Sequence, residues 1–386
     1  MTRRSRGEGT VTYKKKLKLW AAKVPTDQVD SKGKRRYVYA YGKTKDEAAR
    51  KRTALQRQVE ERTLPEPHRM TVADLMGTYI ENKVGRIKTR TIDLYSFDAK
   101  RHINPKIGHL LISKLMPLHI ERMQAEILRN DSARAARSAR DTLARALRQA
   151  VRWKLMIYNP AEAVEQIRVP KREMQVWEPE EVTVFLERAR EDRLYALFFL
   201  ALTTGMRMGE LLALNWRDIG LNGSRPIITV RTSVTREGGK PVIGEPKTAA
   251  GTRRIALSSD QVDVLTAHQV AQDLERTRTD HWQDQGLVFP STEGTLFNSS
   301  NFNTRHWLLL RKVSGVKIIR FHDLRHTYAS LAIRAGMDVR LLADRLGHRD
   351  PAFTLRTYAH VFDHHRHGGA FSLDTLLAEP DRTLKG

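Results

Sequence analysis

The chain has 386 residues, 40% hydrophobic and 29% charged, with a formal net charge of +24 and a pI near 10.3. That length calls for two or three hydrophobic cores, and that charge calls for a polyanion as partner, nucleic acid first. With no cysteine the chain cannot form disulfides, thiolate zinc sites or a cysteine nucleophile, which fits a reducing cytosol. The basic start MTRRSRGEGT has no apolar run behind it to make a signal peptide, and the longest apolar run, 194–202, is too short to span a bilayer. The expectation is a cytoplasmic, nucleoid-associated protein with no membrane partner.

Residues 1–62 carry nineteen Lys or Arg against seven Asp or Glu, half the net charge in a sixth of the chain. Within 10–24, TVTYKKKLKLWAAKV, the residues Val11, Tyr13, Leu17 and Leu19 lie two or four apart. In 35–42, RRYVYAYG, Tyr37, Tyr39 and Tyr41 alternate with Val38 and Ala40. Both patterns predict strands, with turn chemistry in DSKGK between them. Thr44 and Glu47 have capping-box spacing, so a helix is expected from there to about Arg62. Two or three strands and one helix make a small basic module over 1–65, with a core too thin to be robust alone.

TLPEPHR (63–69) reads as a linker. A helix starts at Thr71, with Asp74 at its third position, and 70–168 reads as an all-α domain. The Pro-bearing stretch 168–182 reads as a second linker, with Pro179 opening a helix. Beyond it come helices at 192–205 and 209–219, strands at 225–235 and 252–258, and several helices to the end. This is a mixed α+β domain over 175–375. The fold class is multidomain and mostly α.

One helix, from about Ser132 to Met156, has two distinct faces. At ~100° per residue, Arg137, Arg145, Arg148 and Arg152 fall within about 60° of Arg134. Ala136, Ala139, Leu143, Ala146, Leu147 and Ala150 lie opposite. Like charges on one helix face repel, so five guanidiniums together suit a phosphate backbone or a major groove. An exposed helix with salt-bridge partners elsewhere is the alternative.

Four patches in the last 200 residues share a chemical theme. TGMRMGELLALNW (204–216) puts Arg207 at a Gly-bounded turn leading into a helix. EPKTAAGTRRIAL (245–257) puts Lys247 before a turn and strand. FHDLRHTYAS (321–330) carries His322, Arg325 and His326, and LADRLGHRDPAFTLRTYAHVF (342–362) carries His348 and Tyr358. His322 and His326, four apart, share a helix face and could be half a zinc site. Zinc, however, wants neutral imidazoles without a guanidinium beside them, and HDLRH lacks the Glu of HExxH. A phosphate would accept all three groups.

Singly each patch is weak. Together and in this order they closely resemble the catalytic domain of the tyrosine recombinases, the phage integrase family. Its signature is an Arg early in the domain, a hairpin Lys, His-x-x-Arg, Leu-Gly-His and a Tyr about ten residues on. The resemblance covers 175–365 strongly and 70–168 more loosely, and the N-terminal module looks like the arm-binding domain of phage integrases. It implies Tyr358 as nucleophile, giving a 3′-phosphotyrosine and a free 5′-hydroxyl, and Arg207 and Arg325 as a clamp on the non-bridging oxygens. It further implies Lys247 as general acid, His322 assisting proton transfer at the nucleophile, and His348 as a hydrogen bond to the phosphate. The phosphotyrosine conserves the bond energy, so no metal or ATP is expected, and no GxxxxGK[ST] loop occurs.

The expected partners are double-stranded DNA at core and arm sites, three further copies of the chain across a Holliday junction, a host DNA-bending protein and an excision factor. Glu210 is expected to buttress Arg207, His326 to be structural, and Asp323 to orient an Arg or cap its helix. Tyr328 is expected to face the core. Arg253 and Arg254 are candidate DNA contacts, with a solvated surface as the alternative. The histidines of HVFDHHRH (360–367) are expected to be inert surface, and Leu376 and Leu377 to pack on a neighbouring subunit. A DNA-binding regulator with a dead site, a chromosome-dimer resolvase and a type IB topoisomerase-like relaxase are the rival readings.

Overall fold

The computed structural model describes residues 9–29, 34–61, 69–170, 174–237, 240–244 and 252–363. Lys247, the DSKGK turn apart from Lys34, the histidines beyond position 363, Leu376 and Leu377 lie outside them. The chain divides into two compact units, Met1–Lys171 and Arg172–Gly386. Among the described residues no helix is long and apolar enough to cross a membrane.

In the first unit, the segment 10–24 folds into two strands rather than one. Strands β1 (Thr10–Lys14) and β2 (Leu19–Val29) are joined by a tight turn in which Lys18 takes a left-handed φ of 50°. Strand β3 (Arg35–Gly42) completes an antiparallel sheet in the order β1-β2-β3. Alternation decides the faces. Ala22, Val24 and Ala40 are buried together with Leu55 of helix α1 (Lys45–Glu60). On β3, Tyr37 and Tyr39 stay exposed, and the Lys23 ammonium sits 3.8 Å from the centre of the Tyr37 ring. The Thr44 hydroxyl caps α1 by accepting from the Glu47 amide at 3.1 Å, while Glu47 reaches back to the Lys43 amide at 2.8 Å.

The helical part of this unit comprises α2 (Val72–Glu81), α3 (Thr89–Asp98), α4 (Asn104–Ile107), α5 (Pro117–Asn130) and α6 (Ala133–Arg152). Thr71 and Asp74 form a reciprocal capping box at the start of α2. Helix α6 ends at Arg152, earlier than its periodicity suggests, because Lys154 turns left-handed at φ 59°. Its alanines at 136, 139, 146 and 150 are fully buried with Leu143 and Leu147. Small side chains let neighbouring helices approach, and each buried leucine contributes about 1.5–3 kcal/mol. Asp98 of α3, also buried, accepts from the Ser138 and Thr142 hydroxyls at 2.9 and 2.7 Å, tying α3 to α6.

The second unit begins with α7 (Pro179–Ala189), α8 (Tyr195–Thr204) and α9 (Met208–Leu212). Helix α8 is apolar on all sides because it is buried on nearly all sides. Helix α9 is shorter than the helix expected over 209–219. Past it, the Leu214 carbonyl accepts from Val288 and the Trp216 amide donates to Gly286, both at 2.9 Å, so a strand-like pairing takes groups that a longer helix would use. Strands β4 (Ile219–Gly220), β5 (Ile227–Val230) and β8 (Arg253–Ala256) form one sheet in the order β4-β5-β8. Strands β6 (Ser233–Glu237) and β7 (Lys240–Gly244) pair as a separate ribbon.

Helices α10 (Ser259–Thr277), α11 (Ser299–Phe302), α12 (Leu308–Val313), α13 (Asp323–Arg334), α14 (Val339–Leu346) and α15 (Pro351–Asp363) follow. The core centres on Trp177, Phe185, Phe198, Phe302, Trp307 and Phe321. Trp177 lies in the stretch that reads as a linker, yet it is 1% exposed. Its amide donates to the Thr327 hydroxyl at 3.1 Å and its indole to the Lys317 carbonyl at 2.8 Å, so this part of the stretch is core of the second unit.

Candidate active site

Four chain segments build the site, and glycines shape two of them. Gly205 ends α8 in the left-handed region, φ 64°, where a β-carbon would come within 2.5 Å of the Tyr328 ring and 2.7 Å of Leu346. Only glycine fits both that φ and that space. Gly347 ends α14 in the same way, at φ 66°. The two turns present backbone carbonyls to one side chain: Arg325 donates to the carbonyls of Gly205 at 2.8 Å and Leu346 at 2.5 Å. Arg325 is 3% exposed. Burial, followed by the charge of Arg207, pulls its guanidinium down to about 9, with Glu210 working the other way; it remains protonated at neutral pH.

Arg207 precedes α9 and reaches Glu210 at 2.7 Å and the Gly347 carbonyl at 3.4 Å. Its side chain is 37% exposed, which makes it the open guanidinium of the group. Glu210 is buried, and Arg253 grips it from the other side at 2.8 and 3.2 Å. Burial pushes the Glu210 carboxyl up, but the bonds and charges of Arg253 and Arg207 outweigh it and hold the group below the ordinary carboxylate range. Three guanidiniums thus surround one carboxylate, leaving a surplus of positive charge in a largely dry site.

The expectation that Arg253 touches DNA is corrected here. Its side chain is only 7% exposed and is spent on Glu210 and on the Arg345 carbonyl. Strand alternation carries the signal, since Arg253 shares the buried face of β8 with Ile255 while Arg254 is exposed on the other. The five arginines of α6, at 134, 137, 145, 148 and 152, are all exposed. Arg137 and Arg148 have loose partners, Asp141 at 3.9 Å and Glu162 at 4.0 Å. Arg145 lies over the Tyr95 ring at 5.8 Å.

Tyr358 is fully buried and interrupts α15 with non-helical angles, φ −115° and ψ 17°. Burial drives its hydroxyl up to about 12, opposed by the charge of Arg325. Its hydrogen bond is to His326 Nδ1, at 2.7 Å. His322, the imidazole that the sequence pattern favours for this contact, instead packs edge-on against His326, ring centres 5.2 Å apart.

Each imidazole is held neutral. Burial, then Arg325, lowers His322. Burial, then His322, brings His326 down to about 4. Burial, then Arg325 and Arg207, brings His348 down to about 3. His348 Nδ1 is 2.7 Å from the Thr354 hydroxyl. With that hydroxyl donating, Nε2 carries the hydrogen and can donate to an anion.

Asp323 ties back to Arg320 at 2.6 Å and bonds its amide at 2.8 Å, fixing the first turn of α13. Tyr328 faces the core. Arg207, His322, Arg325, His348 and Tyr358 therefore come together, and His326, Glu210 and Arg253 join them. The histidine spacing on α13 was the one trace of His326 in the sequence.

The model of the phage integrase family matches residues 175–365, and that of the phage integrase N-terminal SAM-like domain matches 71–128. An integrase of Mycobacterium phage L5 is 30% identical over 266 residues, 69% of each chain. The Tn1549 transposon integrase, solved in complex with transposon right end DNA, superposes with a TM-score of 0.64 over 78% of this chain and 98% of that one, at 21% identity. The lambda integrase tetramer bound to a Holliday junction gives 0.57 over 92% and 96%, at 17% identity. The catalytic segments and the chain's likeness over two thirds of a phage integrase converge on one conclusion: this chain belongs to the phage integrase family and is a tyrosine recombinase, an enzyme of site-specific recombination.

Proposed function

We propose that Tyr358 cleaves one strand of a DNA crossover site, forming a 3′-phosphotyrosine and releasing a 5′-hydroxyl. Two such exchanges, through a Holliday junction, integrate or excise a mobile element. The observation that carries this reading is the surplus of positive charge beside the phenol, with Arg207, Arg253 and Arg325 set around the single carboxylate of Glu210. A phosphodiester carries one negative charge, and its five-coordinate transition state carries two. Donors fixed in advance where that charge develops stabilise the transition state more than the ground state. Arg207 and Arg325 bind the non-bridging oxygens, His348 donates from Nε2, His322 completes the polar wall, and Lys247 protonates the leaving 5′ oxygen. The energy of the broken bond is kept in the phosphotyrosine, so neither ATP nor a metal is needed.

The working form is a homotetramer on two double-stranded DNA partners. The α6 arginines and Arg254 grip core DNA, the sheet module of 1–65 holds arm sites, the helical domain spans 70–168 and the catalytic domain 175–375. A host DNA-bending protein and an excision factor set direction, and the reaction takes place on the bacterial nucleoid. The test is a nicked suicide substrate that traps the covalent intermediate. Wild type is expected to give an SDS-resistant protein–DNA adduct, and Tyr358→Phe to bind the same DNA without one. An adduct formed by Tyr358→Phe would remove Tyr358 as nucleophile; no adduct from wild type on its own attachment site would favour a DNA-binding regulator.

A further inference from the structure

A buried phenol needs somewhere to send its proton, and three imidazoles stand near Tyr358. His348 is engaged by Thr354 at 2.7 Å. His322 meets His326 edge-on. His326 alone of the three has a hydrogen bond to the phenol, 2.7 Å from Nδ1 to the hydroxyl oxygen. No second hydrogen-bond partner for that hydroxyl occurs among the described residues. If Nδ1 were the donor, the phenolic hydrogen would be left buried and unbonded, at a cost of about 1–3 kcal/mol. The hydroxyl is therefore the donor, Nδ1 the acceptor, and Nε2 carries the ring hydrogen.

The geometry points to His326 as a catalytic residue, the group that takes the Tyr358 proton during strand cleavage and returns it during rejoining. This rests on the reading of Tyr358 as nucleophile. In cleavage, the O–H bond of Tyr358 breaks as its oxygen bonds to phosphorus, and the proton passes to Nδ1. The bond from phosphorus to the 5′ oxygen breaks, and that oxygen takes a proton from the general acid. In rejoining, the 5′-hydroxyl returns its proton to that general acid as its oxygen attacks the phosphotyrosine, and the departing phenol oxygen recovers its proton from the His326 imidazolium. Atoms and charges balance in both directions without a co-reactant. Burial makes the step necessary, because it pushes the phenol up to about 12 and leaves almost no free phenolate at neutral pH. His326 Nδ1, as acceptor from the hydroxyl at 2.7 Å, already has its lone pair on the path the proton takes. Passing the proton as the bond forms avoids a free phenolate, and general-base help of this kind is worth about 10²–10⁴-fold.

The test separates proton affinity from mere packing. In His326→Asn the amide oxygen can take over the position of Nδ1 as acceptor, but it cannot hold a proton. Single-turnover adduct formation on the nicked substrate is measured for wild type, His326→Asn, His326→Gln and His322→Asn. Each is made with tyrosine and with a more acidic fluorotyrosine at position 358, and unfolding temperature and DNA affinity are measured alongside. The expected result is a loss of about 10²-fold or more in His326→Asn, with DNA affinity unchanged and most of the loss recovered by fluorotyrosine. His326→Gln serves if the Asn variant unfolds. The proposal is overturned if a folded His326 variant cleaves at the wild-type rate, if fluorotyrosine recovers nothing, or if His322→Asn shows the recovery instead. Adduct formation by Tyr358→Phe would strike the nucleophile assignment, a result distinguishable from all of these.

Discussion

Two groups of arginines in this molecule have opposite environments. On α6, Arg134, Arg137, Arg145, Arg148 and Arg152 are exposed, and the ion pairs among them are long. Around Glu210, Arg253 and Arg325 are buried, and all three guanidiniums are fixed by carbonyl or carboxylate oxygens at short range. Mobile exposed charge draws in DNA and is screened by salt. Fixed dry charge costs folding energy, but it meets a developing charge without having to reorganise. Under the function proposed, the same side chain serves affinity in one place and rate in the other, and substitutions should separate the two.

The largest effect is expected at Arg325. Arg325→Ala should slow adduct formation by about 10²–10³-fold while leaving DNA affinity within a few-fold, as measured by single-turnover cleavage beside a binding titration. Arg325→Lys should recover little, because one ammonium cannot replace a planar fork bonded to two carbonyls. An equal loss of affinity and rate would erase the distinction between the two groups.

Glu210→Gln comes next. Removing one partner from a buried ion pair costs about 3–5 kcal/mol, read from denaturant unfolding. The variant should also alter the pH profile. Because the folded Glu210 carboxyl lies below its ordinary range, its contribution is complete above the unfolded carboxylate pKa and is lost as the pH falls through the folded one. The wild-type stability curve should therefore drop more steeply on the acid side than that of Glu210→Gln.

Gly205→Ala tests the turn that feeds Arg325. A left-handed φ and a β-carbon 2.5 Å from the Tyr328 ring predict a loss of about 2–3 kcal/mol by unfolding, accompanied by slower cleavage. The smallest effect belongs to α6. Arg148→Ala should weaken binding a few-fold and lower the slope of log affinity against log salt by ~1, with cleavage at saturating DNA unchanged.

Much of this was legible from residue order. Arg207, His322, Arg325, His348 and Tyr358, which the structure brings together, stand in short motifs in a fixed order, so they could be picked out without coordinates. The two faces of α6 followed from angle alone. Trp177 was hidden because proline and charge around it look like a linker, and only the packing of α7 against Trp307 and Phe198 gives it a core to enter. Arg253 was misread because its charge was weighed and its strand parity was not. His326 was the hardest to see. Its partner lies 32 residues away, and their contact depends on α14 and the Gly347 turn bringing α15 back against α13. Local spacing along one helix contains nothing of that return.

The central claim is that one phenol, set beside those guanidiniums, attacks the phosphate. The most direct measurement is to trap the covalent complex, digest protein and DNA, and locate the nucleotide remnant by mass spectrometry. The account predicts the remnant on the peptide carrying Tyr358, at that residue. A remnant on Tyr328, or on any other side chain, would contradict it.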